Sequence, residues 1–203
     1  MPDAGRTSPD GRPDRLDSQI DFLVEIDKLK TVLRASPISD GSRRENSGEH
    51  SWHLAMFALI LGEQAEDGVC IDRVIRMLLI HDIVEIDAGD FPLHDAYDPA
   101  EKEAAEDAAA NRLFGLLPMD QAASLRALWD EFEAGQTADA RFARALDRIQ
   151  PPLLNMASGG GSWITHGVSL DNIDTRVGVP ALRGAPAVWH RVRARILPFF
   201  TGA

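Results

Sequence analysis

Apolar side chains return every three or four residues in segment after segment of this chain, which commits most of it to amphipathic helices packed on one another. Between residues 16 and 34 the series Ile20, Leu23, Val24, Ile26, Leu29, Val32 and Leu33 keeps that spacing until Pro37 ends it. The turn-rich, basic stretch SPISDGSRRENS at 36–47 follows, with Ser47 as the expected N-cap of a second helix over 47–64; this places His50 in the first turn. A third helix is expected over 71–85, carrying Val74, Met77, Leu78 and His81 on one stripe until AGDFP breaks the pattern. Asp98, Pro99 and Glu101 read as a capping-box start to a fourth helix reaching 117, and Pro118 and Asp120 open a fifth to about 133. Thr137 caps a sixth with the stripe Phe142, Leu146, Ile149 and Leu153, and Pro151 and Pro152 predict a kink in it. The segment GGGSWITHG at 159–167 reads as a loop, 170–176 as a short helix and 186–200 as a last amphipathic helix. No segment alternates as a strand does and nothing repeats, so the expected class is all-α.

A chain of 203 residues suits one domain, here expected over 16–203 after a disordered lead at 1–15 rich in Pro, Gly, Asp and Arg. That lead lacks the apolar core of a secretion signal, and no apolar stretch, the one at 74–80 included, approaches the roughly 20 residues of a membrane span. Cys70 is the single cysteine, so no intramolecular disulfide asks for an oxidising compartment, and the cytoplasm is the expected location. A formal net charge of −11 disfavours binding to a nucleic-acid polymer by counterion release, while a small anion remains compatible wherever arginines cluster. Leu197, Phe199 and Phe200 near the end read as an exposed apolar patch, which suggests a homodimer.

The most informative local feature is His81-Asp82 at the end of an apolar helix, because adjacent helical residues point about 100° apart and both polar groups there need a partner. Taken alone the pair also fits a helix-terminal His beside a solvated Asp. His50, at the edge of the stripe Leu54, Phe57 and Leu61, and Asp147, beside the apolar face of the sixth helix, point further, since a carboxylate set against a core needs a cation. Two imidazoles and two carboxylates suit one divalent ion, Mn²⁺, Co²⁺, Fe²⁺, Zn²⁺ or Mg²⁺, and leave coordination positions open.

Three motifs carry a family resemblance: RRENSGEHS at 43–51, HDIVEIDAGDFP at 81–92, and Ala145-Leu146-Asp147. In order and spacing the chain resembles the HD-domain phosphohydrolases, in the branch that contains bacterial 5'-deoxynucleotidases, over roughly residues 20–157. The resemblance implies an HD-domain helical bundle with His50, His81, Asp82 and Asp147 as metal ligands. It also implies that Glu85 and Asp90 are the acidic residues following the pair, and that Arg34, closing the first helix, orients phosphate. The segment Asp90, Phe91, Pro92 and Leu93 falls where such enzymes contact the nucleoside, and Ala35 adjoins the arginine. Leu93 and His94 depart from the family pattern, as does the loop at 159–163.

The implied reaction is metal-dependent hydrolysis of a phosphate monoester, in the first place a deoxynucleoside 5'-monophosphate, with Glu85 as general acid or base and Arg43 or Arg44 supporting Arg34. The alternatives are another small phosphate ester, a phosphodiesterase, or a metal-binding HD protein without catalysis; a second metal is undersupplied, with His94 alone between His81 and Asp147. His53 and Trp52 read as core residues, the run Gly159 to Gly161 as a lid carrying Trp163 and His166, and Glu101, Glu103, Glu106 and Asp107 as a solvated face.

Overall fold

A computed structural model describes residues 14–93 and 97–202. Asp14 caps the first helix, α1 (Arg15–Glu25), by accepting from Leu16 N. Arg15 forms a two-pronged pair with Asp120, so the expected lead does not extend to these two residues. His94 and the rest of 1–15 lie outside the described residues.

The first helix is shorter than its apolar spacing implies. It tightens into a 3-10 turn at Ile26–Thr31 and then leaves helical geometry for a strand, β1 (Leu33–Pro37), which pairs antiparallel with β2 (Arg44–Asn46). Arg34 is therefore a strand residue rather than the close of a helix, and a two-stranded ribbon exists where no strand was expected. Asn46, not Ser47, caps α2 (Ser47–Leu61), in a reciprocal capping box with Glu49. Ser47 enters the helix, and its freed hydroxyl points inward.

The helix α3 (Ile71–Ile80) stops before His81, and residues 81–84 wind more tightly. Glu85 N bonds Asp82 O at 2.9 Å, and Ile83 N bonds Ile80 O at 3.2 Å. In such a turn residues three apart eclipse, so Asp82 and Glu85 emerge on one side. The short α4 (Glu85–Ala88) ends at Gly89, whose φ of 79° lies in the region that favours glycine and bends the chain so that Asp90 returns to the same place.

Then come α5 (Pro99–Phe114), capped by Asp98 without the Glu101 half of a box, and α6 (Met119–Ala134). The long α7 (Ala138–Ala157) is capped by Thr137 and runs without interruption through Pro151 and Pro152. The glycine segment is partly helical, α8 (Gly161–Thr165). Gly160 has a φ of 114°, and a Cβ there would stand 2.6 Å from Phe199, so the position is closed to larger residues. The chain ends in α9 (Leu170–Ile173), a π turn at Asp174–Gly178, α10 (Val179–Gly184) and α11 (Pro186–Thr201).

Two apolar clusters hold these helices together. One is built on α7: Phe142, Leu146 and Ile149 meet Leu54 of α2, Met77 and Leu78 of α3, and Trp189 and Ile196 of α11. The other joins Phe22 and Leu29 to Ile83, Val84, Leu113, Phe114 and Trp129. Each fully buried Leu, Ile or Phe contributes roughly 1.5–3 kcal/mol, so both clusters are substantial. Trp129 ties them at their junction by donating from Nε1 to the His81 carbonyl at 3.1 Å. Among the described residues no helix is long and apolar enough to cross a membrane.

Two surface expectations change. Trp52 is 62% exposed rather than core. Phe199 and Phe200 pack on Trp163, with ring centroids 5.2 and 4.8 Å away, so much of the expected terminal patch has its partner within the chain.

Candidate metal centre

At the junction of the two clusters α2, the turn that follows α3, and α7 each deliver a ligand-bearing side chain. His50, His81 and Asp147 each offer one donor atom, and these atoms lie within 4.8 Å of one another. His50 Nε2 stands 3.0 Å from Asp147 Oδ1 and 3.9 Å from Asp82 Oδ2; His81 Nε2 stands 3.0 Å from Asp82 Oδ1 and 3.9 Å from Asp147 Oδ1. Donors bound about 2.1 Å from one ion are separated by about 3.0 Å when at right angles and about 4.2 Å when opposite, which the His50, His81 and Asp147 atoms fit; Asp82 reaches the two imidazoles through different oxygens and stands beside that group of three rather than within it.

The imidazoles are prepared for this. His81 Nδ1 is 2.9 Å from the Leu78 carbonyl, which fixes a proton on that nitrogen and leaves Nε2 to face the centre. That Nε2 is buried without a hydrogen-bond partner, and the nearby Asp82 oxygen is off the line of a bond. A buried nitrogen left in this condition costs free energy unless something else binds it. The donor set and this orphaned atom together fit a divalent cation.

The carboxylates lack counter-charge. Glu45, Asp82, Glu85, Asp90 and Asp147 all surround the centre and outnumber the cations near them: the half-buried Arg34 donates from Nη1 to Asp82 at 2.9 Å and lies 3.9 Å from Glu85 and 4.0 Å from Asp90, and Arg148 Nε lies 3.9 Å from Asp147. The electrostatic consequences differ from residue to residue. Burial pushes Asp82 up, but His81 and Arg34 outweigh it and hold the carboxyl at about 2. Burial likewise opposes the charge on Asp147, which His50 and Arg148 nonetheless keep well below the usual carboxylate range. Burial disfavours charge on His81, yet Asp82 and Asp147 raise it to about 9. Glu85 moves the other way: burial and the Asp82 and Asp90 charges push it well above its ordinary value, against Arg34 and the Ser47 hydroxyl, which donates to its Oε2 at 2.6 Å. Burial also raises Asp90, with Arg34 opposing.

Two narrow cavities flank the centre, each of about 90 Å³. One is lined by Arg34, Ala35, Ser36, Asp90, Phe91, Pro92, Leu93, Arg148, Pro151, Pro152, Ser162, His166 and Val177. The other is lined by His81, Asp82, Glu85, Lys102, Glu106, Phe132, Arg144 and Arg148. A roomier cavity of about 680 Å³ lies between α2 and α11, but it has no carboxylate in its wall and stands apart from this chemistry.

Every expected site residue thus lies at or beside the centre, whereas the two supporting arginines do not. Arg43 pairs with Glu49 on the surface, and Arg44 donates to the Arg34 carbonyl. Arg148, which follows Asp147 in the chain, lines both cavities in their stead. His53 is half-buried against Phe57 and 3.1 Å from Gln150, outside the ligand group. Glu106 is not simply solvated: it is partly buried, pairs with Lys102 and faces the second cavity. Sequence reasoning missed Glu45, Ser47, Lys102, Arg148 and Gln150. The adjacency of Arg148 to Asp147 was the one local signal available; the others depend on pairings between distant segments.

Comparison with known proteins follows the same lines. The HD domain family matches residues 26–189. Human 5'-deoxynucleotidase HDDC2 is 31% identical over 134 residues, which is 66% of this chain and 64% of that protein's length. The Xenopus laevis 5'-deoxynucleotidase HDDC2 is 30% identical over 151 residues, 74% of this chain and 71% of that one. A crystal structure described as a predicted metal-dependent phosphohydrolase, from Magnetospirillum magnetotacticum MS-1, shares 53% identity with a TM-score of 0.85 over 91% of this chain and 95% of that one.

Proposed function

The chain belongs to the HD domain family, and on that premise we propose that it is a divalent-metal-dependent phosphohydrolase acting on deoxynucleoside 5'-monophosphates. The observation that carries this reading is the convergence of two imidazoles and the Asp147 carboxylate at ion-sharing distances, with Asp82, Arg34 and a carboxyl of raised pKa beside them. The names of the human and Xenopus relatives support the substrate class.

In this reading His50, His81, Asp82 and Asp147 hold one ion, with Mn²⁺, Co²⁺, Fe²⁺, Zn²⁺ and Mg²⁺ all compatible with the donor set. Bound there, the ion supplies a Lewis acid and a water of lowered pKa. Arg34 orients the phosphate and offsets its charge, which is most of what phosphoryl transfer asks of a protein. Glu85, with its raised pKa, holds the proton that the leaving alkoxide takes up. Asp90 accepts from a sugar hydroxyl, and Ala35, Phe91, Pro92 and Leu93 form the wall against the nucleoside. The working partner is a small anionic nucleotide rather than a nucleic-acid polymer. The protein's proposed location is the cytoplasm; of the terminal residues that suggested a homodimer, Phe199 and Phe200 pack on Trp163 within the chain.

The test is phosphate release from a panel of deoxy- and ribonucleoside 5'-monophosphates and simple phosphate esters, after stripping with chelator and reloading with Mn²⁺ or Co²⁺. Preference for the deoxynucleotides supports the reading. Turnover of other esters alone removes the substrate, and turnover of none removes the enzyme.

A further inference from the structure

Three buried polar atoms without hydrogen-bond partners meet behind the metal centre: Oε2 of Glu45, Nδ1 of His50 and Nε of Arg34. Glu45 Oε2 stands 3.4 Å from the imidazole nitrogen and 3.8 Å from the guanidinium nitrogen. Glu45 is itself buried, and its other oxygen accepts from Gln150 Nε2 at 2.8 Å, which fixes the carboxylate in place. A carboxylate taken out of water needs N–H groups facing it, and these two are the ones its free oxygen has.

The arrangement solves a problem at His50. For Nε2 to present a lone pair to an ion, Nδ1 must carry the proton and have an acceptor behind it. His81 meets that need with a backbone carbonyl; His50 has Glu45. The ribbon makes this possible, since β1 carries Arg34 and β2 carries Glu45 directly before the helix of His50. We propose that Glu45 is a positioning residue that fixes the tautomer and ring orientation of His50 while holding Arg34 beside the phosphate site, so that one side chain aligns a metal ligand and the anion clamp together. The inference rests on the metal-centre reading but not on the identity of the substrate.

The experiment is titration of Co²⁺ into chelator-stripped wild type, E45Q, E45A and H50A, following the heat of binding and the visible absorption of the bound ion. E45Q keeps size and an acceptor while losing charge, and the unpartnered Gln150 Oε1 is available to its amide. Affinity is expected to fall about 10–100-fold in E45A, with an altered absorption band, and less in E45Q, while the metal-free melting temperature of E45Q stays at the wild-type value. E45Q carries the test if E45A fails to fold. Affinity within about twofold of wild type and an unchanged band in every folded Glu45 variant, with binding lost in H50A, overturns the proposal alone. Wild-type binding in H50A overturns the metal centre and the proposal with it.

Discussion

Two acid-rich regions of this molecule, the metal centre and the seam between α5 and α6, differ in where their counter-charges are. In the seam Arg126 bonds Asp107, Asp130 and Asn111 at once, near solvent, and each acid has its partner. At the centre the acids crowd largely buried around Arg34, and His81 Nε2, which faces them, has no hydrogen-bond partner. What marks a site is burial combined with a deficit of positive charge and donor atoms aimed at one point.

That contrast is broken most forcefully by D147N. It removes the charge from the carboxylate whose one oxygen, Oδ1, lies within 3.9 Å of both imidazoles, and kcat/KM is expected to fall by roughly 10³-fold or more, because water activation and charge stabilisation are lost together. Metal analysis of the purified variant checks the cause. A D147N enzyme with full activity would make the centre no different from the seam.

E85Q comes next. As the candidate acid, its loss is expected to lower kcat by about 10²–10³-fold with metal still bound. The same variant carries a pH signature in stability. Because the folded state raises the Glu85 pKa, the residue favours folding at low pH, and that contribution disappears as pH rises through the elevated value. Metal-free E85Q is therefore expected to gain stability over metal-free wild type with increasing pH, as thermal melts across the range would show; a constant gap contradicts it.

The helices that carry the ligands were legible because their apolar stripes are long and regular, and His50, His81 and Asp147 sit at the edges of those stripes. The ribbon was not. Val32 and Leu33 continue the three- and four-residue spacing past the point where the backbone leaves the helix, and three residues of β2 are too few to alternate visibly. Gln150 reaches Glu45 across 105 positions of chain, a pairing no local spacing encodes. Glu85 reaches the site by a different route from the expected one: the helix expected over 71–85 ends at Ile80, and the tighter turn that follows stacks Glu85 on Asp82.

Smaller effects sharpen the comparison. Saturating metal at about 100 times its Kd adds about 2.7 kcal/mol, which for a chain of this size raises Tm by roughly 5–10 °C. D147N is expected to lose that increment, as differential scanning would record. R126A, in the exposed seam, is expected to cost at most about 1 kcal/mol and to leave both kcat and the metal-induced Tm shift unchanged. A shift that vanished in R126A would mean that the seam, too, holds the ion.

The most direct measurement is an anomalous difference map from crystals grown with Mn²⁺ and collected on the high-absorption side of its edge. The account predicts one peak about 2.0–2.2 Å from His50 Nε2, His81 Nε2 and oxygens of Asp82 and Asp147. A peak elsewhere, or none among these four side chains at saturating Mn²⁺, would contradict it.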